Sequence, residues 1–298
     1  MPLLDTRPRV VKLPFGSVEV DWGHPLARKL VHYWPTNEGG GNQTNLTSPP
    51  WPAKLQSANL AVWSTDAKGL TMKFSGAQFN AVGVIPSLVT SPVSIFAGVV
   101  LVNNVGTQII ASWGDAAGAS ADLGMTPTRG GGGLFKVEWN GTILTGTLAN
   151  ILNRPSVVGW TRAGSTGSWT ATIYQNGILD TRGTTATNPV TAGTFALGRP
   201  GDFNGAYFNG QIEWLGVWSR ALSASEALWL AKEPYAFLRP RPAARTAFMQ
   251  GSQVAAAAPV LPWRTLIGVG AGLRVAHLIA RNIPVSRRDF FNSWIVKP

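Results

Sequence analysis

The stretch NGAYFNGQIEWLGVWSRALSASEALWL, Asn204–Leu230, decides how this chain is read. A glycine-containing turn at Asn209-Gly210 opens it. Ile212, Trp214, Gly216 and Trp218 then alternate with Gln211, Glu213, Leu215 and Val217. Period two with aromatic and β-branched residues predicts a packed β-strand that puts the first four on one face. The period then changes. Ser223 followed three places on by Glu226 has the form of a capping box, predicting a short helix over Ala224–Lys232 that turns Leu228, Leu230 and Ala231 inward. Pro234 stops it, because proline has no N–H to continue the ladder.

Working outward, strand patterns dominate. Leu30–Trp34, Gly69–Asn80, Val93–Val102, Gln108–Trp113, Leu134–Trp139, Val157–Trp160, Trp169–Gln175, Gly177–Thr181 and Phe195–Gly198 read as strands, and Leu55–Trp63 as a short strand pair or hairpin. Val93–Val102 is nearly all apolar, as an inner strand of a two-layer sheet should be. Asn140-Gly141 and Asn176-Gly177 are two-residue hairpin signals. Gly114–Arg129 reads as a small-residue loop. The tetraglycine Gly130–Gly133 leads into a strand rather than a helix N-terminus, which makes it a turn and not a phosphate cradle.

Five motifs, in order, carry a family resemblance. His24–Asn42 with its Asn-Glu-Gly turn, Leu70–Gly76, Ile173–Gly177, Thr194–Gly198 and above all Phe208–Glu226 resemble the laminin G-like/concanavalin A-like sandwich family over roughly residues 24–238. The implied fold is all-β: a two-sheet antiparallel β-sandwich, a concanavalin A-like jelly roll. An N-terminal arm (1–21) precedes the sandwich (22–238), and a basic Pro/Ala-rich extension with an aromatic tip (239–298) follows it. The exit Tyr235–Pro242 and the entry His24–Leu30 are similar to segments flanking laminin G-like domains in bacteriophage-encoded proteins.

Composition narrows the chemistry. The chain has 34 Gly, 21 Pro and 13 Trp, a turn-rich and strand-rich profile, and no cysteine, which excludes disulfides and thiolate metal sites. Its three histidines have no metal-ligand spacing, and no serine-nucleophile elbow occurs. No apolar run is long enough to span a bilayer and no secretory signal is visible at Met1-Pro-Leu-Leu-Asp. Of the net charge of +11, residues 239–298 hold +8, spread among Pro, Ala and Gly rather than concentrated in one run. That pattern favours a protein partner over nucleic acid.

Site candidates follow. The family's calcium-binding aspartates are replaced here by Glu213, Ser75 and Asn176, which argues against a cofactor and leaves only Asp202 and Asn204 as calcium candidates. Glycan binding needs an exposed aromatic platform beside amides or carboxylates, and the loop candidates are Trp51, Trp113 with Asp115, and Asp202 with Tyr207. Partner docking falls to Arg287, Arg288, Phe290, Phe291 and Trp294, aromatic anchors on a polar tail. Glu138 and Glu213 are the only strand-borne acids with apolar neighbours, the minimum a glycoside hydrolase would need.

The expectation is a non-enzymatic bacteriophage virion structural protein, a head decoration or a tail or fibre component. Both terminal extensions would attach it to other virion proteins or its own copies, and the sandwich would be displayed toward surface glycans. The alternatives are a stand-alone carbohydrate-binding module or adhesin and, third, a glycoside hydrolase.

Overall fold

The computed structural model describes residues 18–36, 45–47, 56–59, 62–66, 69–75, 79–85, 92–103, 106–114, 120–127, 133–139, 142–149, 152–165, 167–185, 193–198 and 207–240. In chain order the strands are β1 (Val18–Val20), β2 (Leu30–Trp34), β3 (Gln56–Asn59), β4 (Val62–Asp66), β5 (Gly69–Ser75) and β6 (Phe79–Ile85). Then come β7 (Val93–Leu101), β8 (Gln108–Gly114), β9 (Ser120–Pro127), β10 (Gly133–Trp139), β11 (Thr142–Ala149) and β12 (Pro155–Ser165). The last are β13 (Ser168–Gln175), β14 (Ile178–Thr185), β15 (Gly193–Leu197), β16 (Asn209–Trp218) and β17 (Leu238–Pro240), with one helix, α1 (Ala224–Lys232).

Two antiparallel sheets face each other. One has seven strands in the order β11-β10-β9-β8-β15-β6-β3. The other has eight, in the order β14-β13-β12-β7-β16-β5-β4, with β2 also pairing β16. The inner faces supply a continuous core that includes Met72, Phe74, Ile95, Val99, Val158, Trp160 and Ile173 from the larger sheet and Ile110, Trp113, Leu123, Phe135, Val137 and Phe195 from the smaller. This is a concanavalin A-like β-sandwich.

A third layer covers the outer face of the eight-stranded sheet. Phe96, Tyr174, Trp214 and Trp218 project outward and are buried by Leu26 and Ala27 of a 3-10 turn, by Ala227 and Leu230 of α1, and by Val20 and Phe237. Glycines seat the large rings. A side chain at Gly98 would collide with the Trp214 indole, and one at Gly159 with the Phe96 ring. Each supplies the gap that lets an aromatic lie flat on the sheet.

Several local expectations change on pairing. The register of β16 against β7 slips between Ile212 and Trp214, a β-bulge at Glu213. Ile212 therefore joins Leu215 and Val217 in the inter-sheet core, while Trp214 and Trp218 face the third layer. Asn209-Gly210 begins the strand instead of forming a turn. The strand pair expected at Leu55–Trp63 is not a hairpin: β3 lies in the smaller sheet and β4 in the larger. Gly69–Asn80 likewise splits into β5 and the start of β6, one in each sheet. The loop expected across Gly114–Arg129 contains β9, which is held on both sides by β8 and β10. In α1, Leu230 is inward as expected, but Leu228 is exposed and Ala227 takes the buried place.

Candidate functional site

The segment Ser219–Glu226 locks the third layer. Ser223 accepts from the Glu226 N–H at 3.2 Å, and the Glu226 carboxylate accepts from the Ser223 N–H at 2.9 Å, completing the expected capping box. Arg220 then ties this helix start to the chain's entry. Its guanidinium donates to the Glu226 carboxylate at 2.7 Å, to the Arg28 carbonyl at 2.8 Å and to the Pro25 carbonyl at 3.1 Å. Partial burial pushes the Glu226 carboxyl up, but the bonds from Arg220 and Ser223 outweigh it and hold the group below its usual range. Ser94 of β7 donates to the Arg220 carbonyl at 2.8 Å and accepts from the Leu222 N–H at 2.9 Å. This cluster is fully employed in holding structure.

Entry and exit of the described body coincide. β1 and β17 form an antiparallel ribbon with Val18 opposite Pro240, Glu19 opposite Arg239 and Val20 opposite Leu238. Arg239 reaches Glu19 at 2.8 Å and Asp21 at 3.9 Å. Tyr33 donates to the Pro234 carbonyl at 3.1 Å and the Trp218 indole to the Leu26 carbonyl at 2.7 Å, so the ribbon and helix rest on fixed points of the sheet. Domain boundaries drawn after Asp21 and Leu238 would cut this ribbon.

The residues singled out from sequence fare unevenly. Trp113 is 2% exposed and belongs to the inter-sheet core, so it presents no platform to a sugar; β8 alternation points it inward. Tyr207 is half-buried and bridges to Ile109. Trp51, Asp115, Asp202, Asn204, Arg287, Arg288, Phe290, Phe291 and Trp294 lie outside the described residues. Glu138 alternates with the inward Val137 on β10, faces away from the core and pairs with Lys136 at 2.7 Å. Glu213 sits buried in the bulge of the other sheet, where its charge and, above all, burial raise the Tyr33 hydroxyl well above its usual range. The two glutamates thus do not confront each other across the sandwich. Among the described residues no three His, Asp or Glu side chains gather as a metal site would require.

Among the described residues, two indoles that the sequence does not single out are exposed. Trp22 is 52% exposed in the turn after β1, and Trp229 is 37% exposed on α1. Asp21 Oδ1 accepts from the Gly23 N–H at 3.1 Å, which fixes a carboxylate beside Trp22. Trp229 packs on the His24 ring at 4.7 Å and donates to Glu233 at 3.1 Å. A helical wheel over 224–232 would have found Trp229, since it lies well off the Ala227–Leu230 side. Trp22 carried no periodic signal.

Residues 99–227 match the family described as the concanavalin A-like lectin/glucanases superfamily. No curated protein matches the chain. Among solved structures the chain is similar to domain 4 of AbnA, an extracellular arabinanase from Geobacillus stearothermophilus, in complex with arabinotriose: 15% identity, TM-score 0.49, covering 68% of this chain and 98% of that one. It is also similar to the Trypanosoma rangeli sialidase in complex with sialic acid, at 16% identity and TM-score 0.50. That match covers 70% of this chain but only 34% of the sialidase. The sialidase likeness bears on the fold alone. Strand order and two-sheet packing show a concanavalin A-like β-sandwich, and residues 99–227 within it are similar to the concanavalin A-like lectin/glucanases superfamily.

Proposed function

We propose that this chain is a non-enzymatic structural protein of a bacteriophage virion, a head decoration or a tail or fibre component. It is held through its terminal segments and presents its sandwich as a carbohydrate-recognising surface. The observation that carries the reading is the pairing of Val18 with Pro240: the chain enters and leaves the described body at one place. A body tethered at one point leaves the rest of its surface free to meet a partner. The resemblance of the flanking segments to phage-encoded proteins, and the +8 charge of residues 239–298, support the setting. The ion pairs of Glu138 with Lys136 and of Glu226 with Arg220 support the non-enzymatic part.

Light scattering on the full chain and on a chain ending at Pro242 tests the anchoring. The full chain is expected to form the larger assembly, and equal copy numbers for the two would overturn it. The carbohydrate part rests on the half-exposed Trp22 beside Asp21, Glu19 and Arg239, an aromatic face flanked by oriented polar groups. Saturable binding of an oligosaccharide from a neutral and acidic panel, weakened about tenfold or more by Trp22→Ala, is the expected result. A full chain that binds no member of the panel removes that part. A stand-alone carbohydrate-binding module is the second reading, favoured by the same Trp22; it gains if sugar binding persists while the two chains show equal copy number.

A further inference from the structure

Trp22 and Trp229 lie near opposite ends of the described sequence, yet one ring joins them. Asp21–His24 is a β-turn closed by the His24 N–H, which donates to the Asp21 carbonyl at 3.0 Å, and exposed Trp22 stands at its second position. The Asp21 N–H donates to the Phe237 carbonyl at 2.8 Å, which ties the turn to the exit segment. His24 accepts from the Leu26 N–H through Nδ1 at 3.2 Å, and this bond fixes its ring. Against that ring lies the exposed Trp229 indole, 4.7 Å away and tilted by 59°. An indole on the turn, an imidazole and an indole on α1 thus follow one another, each held by bonds within the protein.

An exposed aromatic ring beside oriented polar groups suits a sugar, whose C–H face stacks on the ring while its hydroxyls bond to the neighbours. The Trp229 N–H is spent on Glu233 Oε2 at 3.1 Å, so what the indole offers is its face. The same bond sets the Glu233 carboxylate at the edge of that face. On the side of Trp22, Glu19 and Asp21 share Arg239 at 2.8 and 3.9 Å. Lys232 is the other base, set against the three carboxylates of Glu19, Asp21 and Glu233, so an acidic sugar finds no excess of positive charge. Hydroxyls, which donate to carboxylates, are the better match. Two indoles on different elements, with the His24 ring between them, cannot both lie on one sugar ring. The ligand must extend over several units.

We infer that Trp22 and Trp229 are two subsites of one site, whose ligand is an uncharged oligosaccharide longer than a disaccharide. Glu19, Asp21 and Glu233 accept from its hydroxyls. The inference rests on the carbohydrate reading of Trp22 above and extends it to α1. It can fail while that reading stands, because a sugar bound at Trp22 alone makes no use of Trp229.

The test is calorimetric titration of the full chain with the strongest-binding member of the same panel and with its shorter forms down to the monosaccharide. That member is expected to be uncharged, and affinity to rise about tenfold or more from the disaccharide to the full length. Trp22→Ala and Trp229→Ala should each flatten the rise. Trp229→Phe keeps a ring on His24 and should keep most of it, which separates a lost stacking face from a disturbed turn. If the rise survives Trp229→Ala while Trp22→Ala removes it, the second subsite is refuted and the carbohydrate reading stands. Tightest binding to an acidic sugar, affinity that does not change with length, or a Phe variant as weak as the Ala one also overturns the inference. A panel in which nothing binds removes both.

Discussion

His32 carries the clearest consequence at the scale of one residue. It is 1% exposed, stacked on Trp34 at 5.2 Å, and Trp34 in turn stacks on Phe195 at 5.6 Å. The Tyr33 and Thr47 N–H groups donate to Asn45 Oδ1, which leaves the Asn45 amide nitrogen to donate to His32 Nδ1 at 2.8 Å. The imidazole is therefore neutral with its proton on Nε2. Burial lowers its pKa from 6.5 to about 4. Between those values the unfolded chain binds a proton that the folded one does not, so stability falls as pH drops through the window, by ~3 kcal/mol at most. Glu226 adds in the same direction. Its depressed carboxyl contributes stability above the unfolded value, and this is lost as the pH falls through the folded one. Denaturant midpoints measured across the window should show a steep acid limb that flattens in His32→Leu. An unchanged limb in a folded His32→Leu variant would mean that His32 does not control it.

At the scale of elements, the β13–β14 turn and α1 depend on each other. Asn176 and Gly177 both have positive φ, 53° and 78°, as a two-residue turn with the primed twist requires. Asn tolerates this region through its short polar side chain, and here its Oδ1 also accepts from the Val157 N–H at 2.9 Å. Gly177 has a second constraint, the helix backbone above it. Gly167 is a natural control: its φ is 83°, yet a side chain there would meet nothing within 4 Å among the described residues. Gly167→Ala should cost about 1–2 kcal/mol of conformational strain alone. Gly177→Ala should cost that plus displacement of α1, about 3 kcal/mol or more. Equal losses for the two in chemical denaturation would mean the helix contact contributes little.

For the whole molecule, the third layer makes the chain's ends interdependent. Val18 and Val20 are 2% and 3% exposed in a ribbon whose second strand, β17, lies some 220 residues away. A chain ending at Phe237 lacks β17 and the Arg239 contacts, whereas one ending at Pro242 keeps them. The shorter chain should melt several degrees lower, since burial of two valines is worth about 3 kcal/mol or more and a domain of this size shifts by roughly 2–4 °C per kcal/mol. Identical melting would mean that the ribbon is ornamental to the fold.

What was readable in the sequence is what neighbours along the chain decide. The capping box and the extent of α1 depend on residues three or four apart, and the Asn176-Gly177 turn on two adjacent φ angles. The apolar run of β7 announces burial on both sides, as observed. The motif Arg220–Glu226 was legible as a family signature, but its use was not, because the two carbonyls Arg220 binds lie 192 and 195 residues away. The same limit explains the misread parts. β9 has little apolar alternation of its own and is a strand because β8 and β10 pair with it. β3 and β4, or β5 and β6, read as one unit until pairing sends each to a different sheet. One extra residue at Glu213 reverses the facing of Ile212 relative to Trp214, which no alternation rule can anticipate without the partner strand. Trp113 looked like a platform because it precedes a loop, and the opposing sheet buried it. Local hydrogen bonding and periodicity act over a few residues and so are written in the sequence; which face is covered, and which tryptophans stay in water, is settled by what the rest of the chain brings against it.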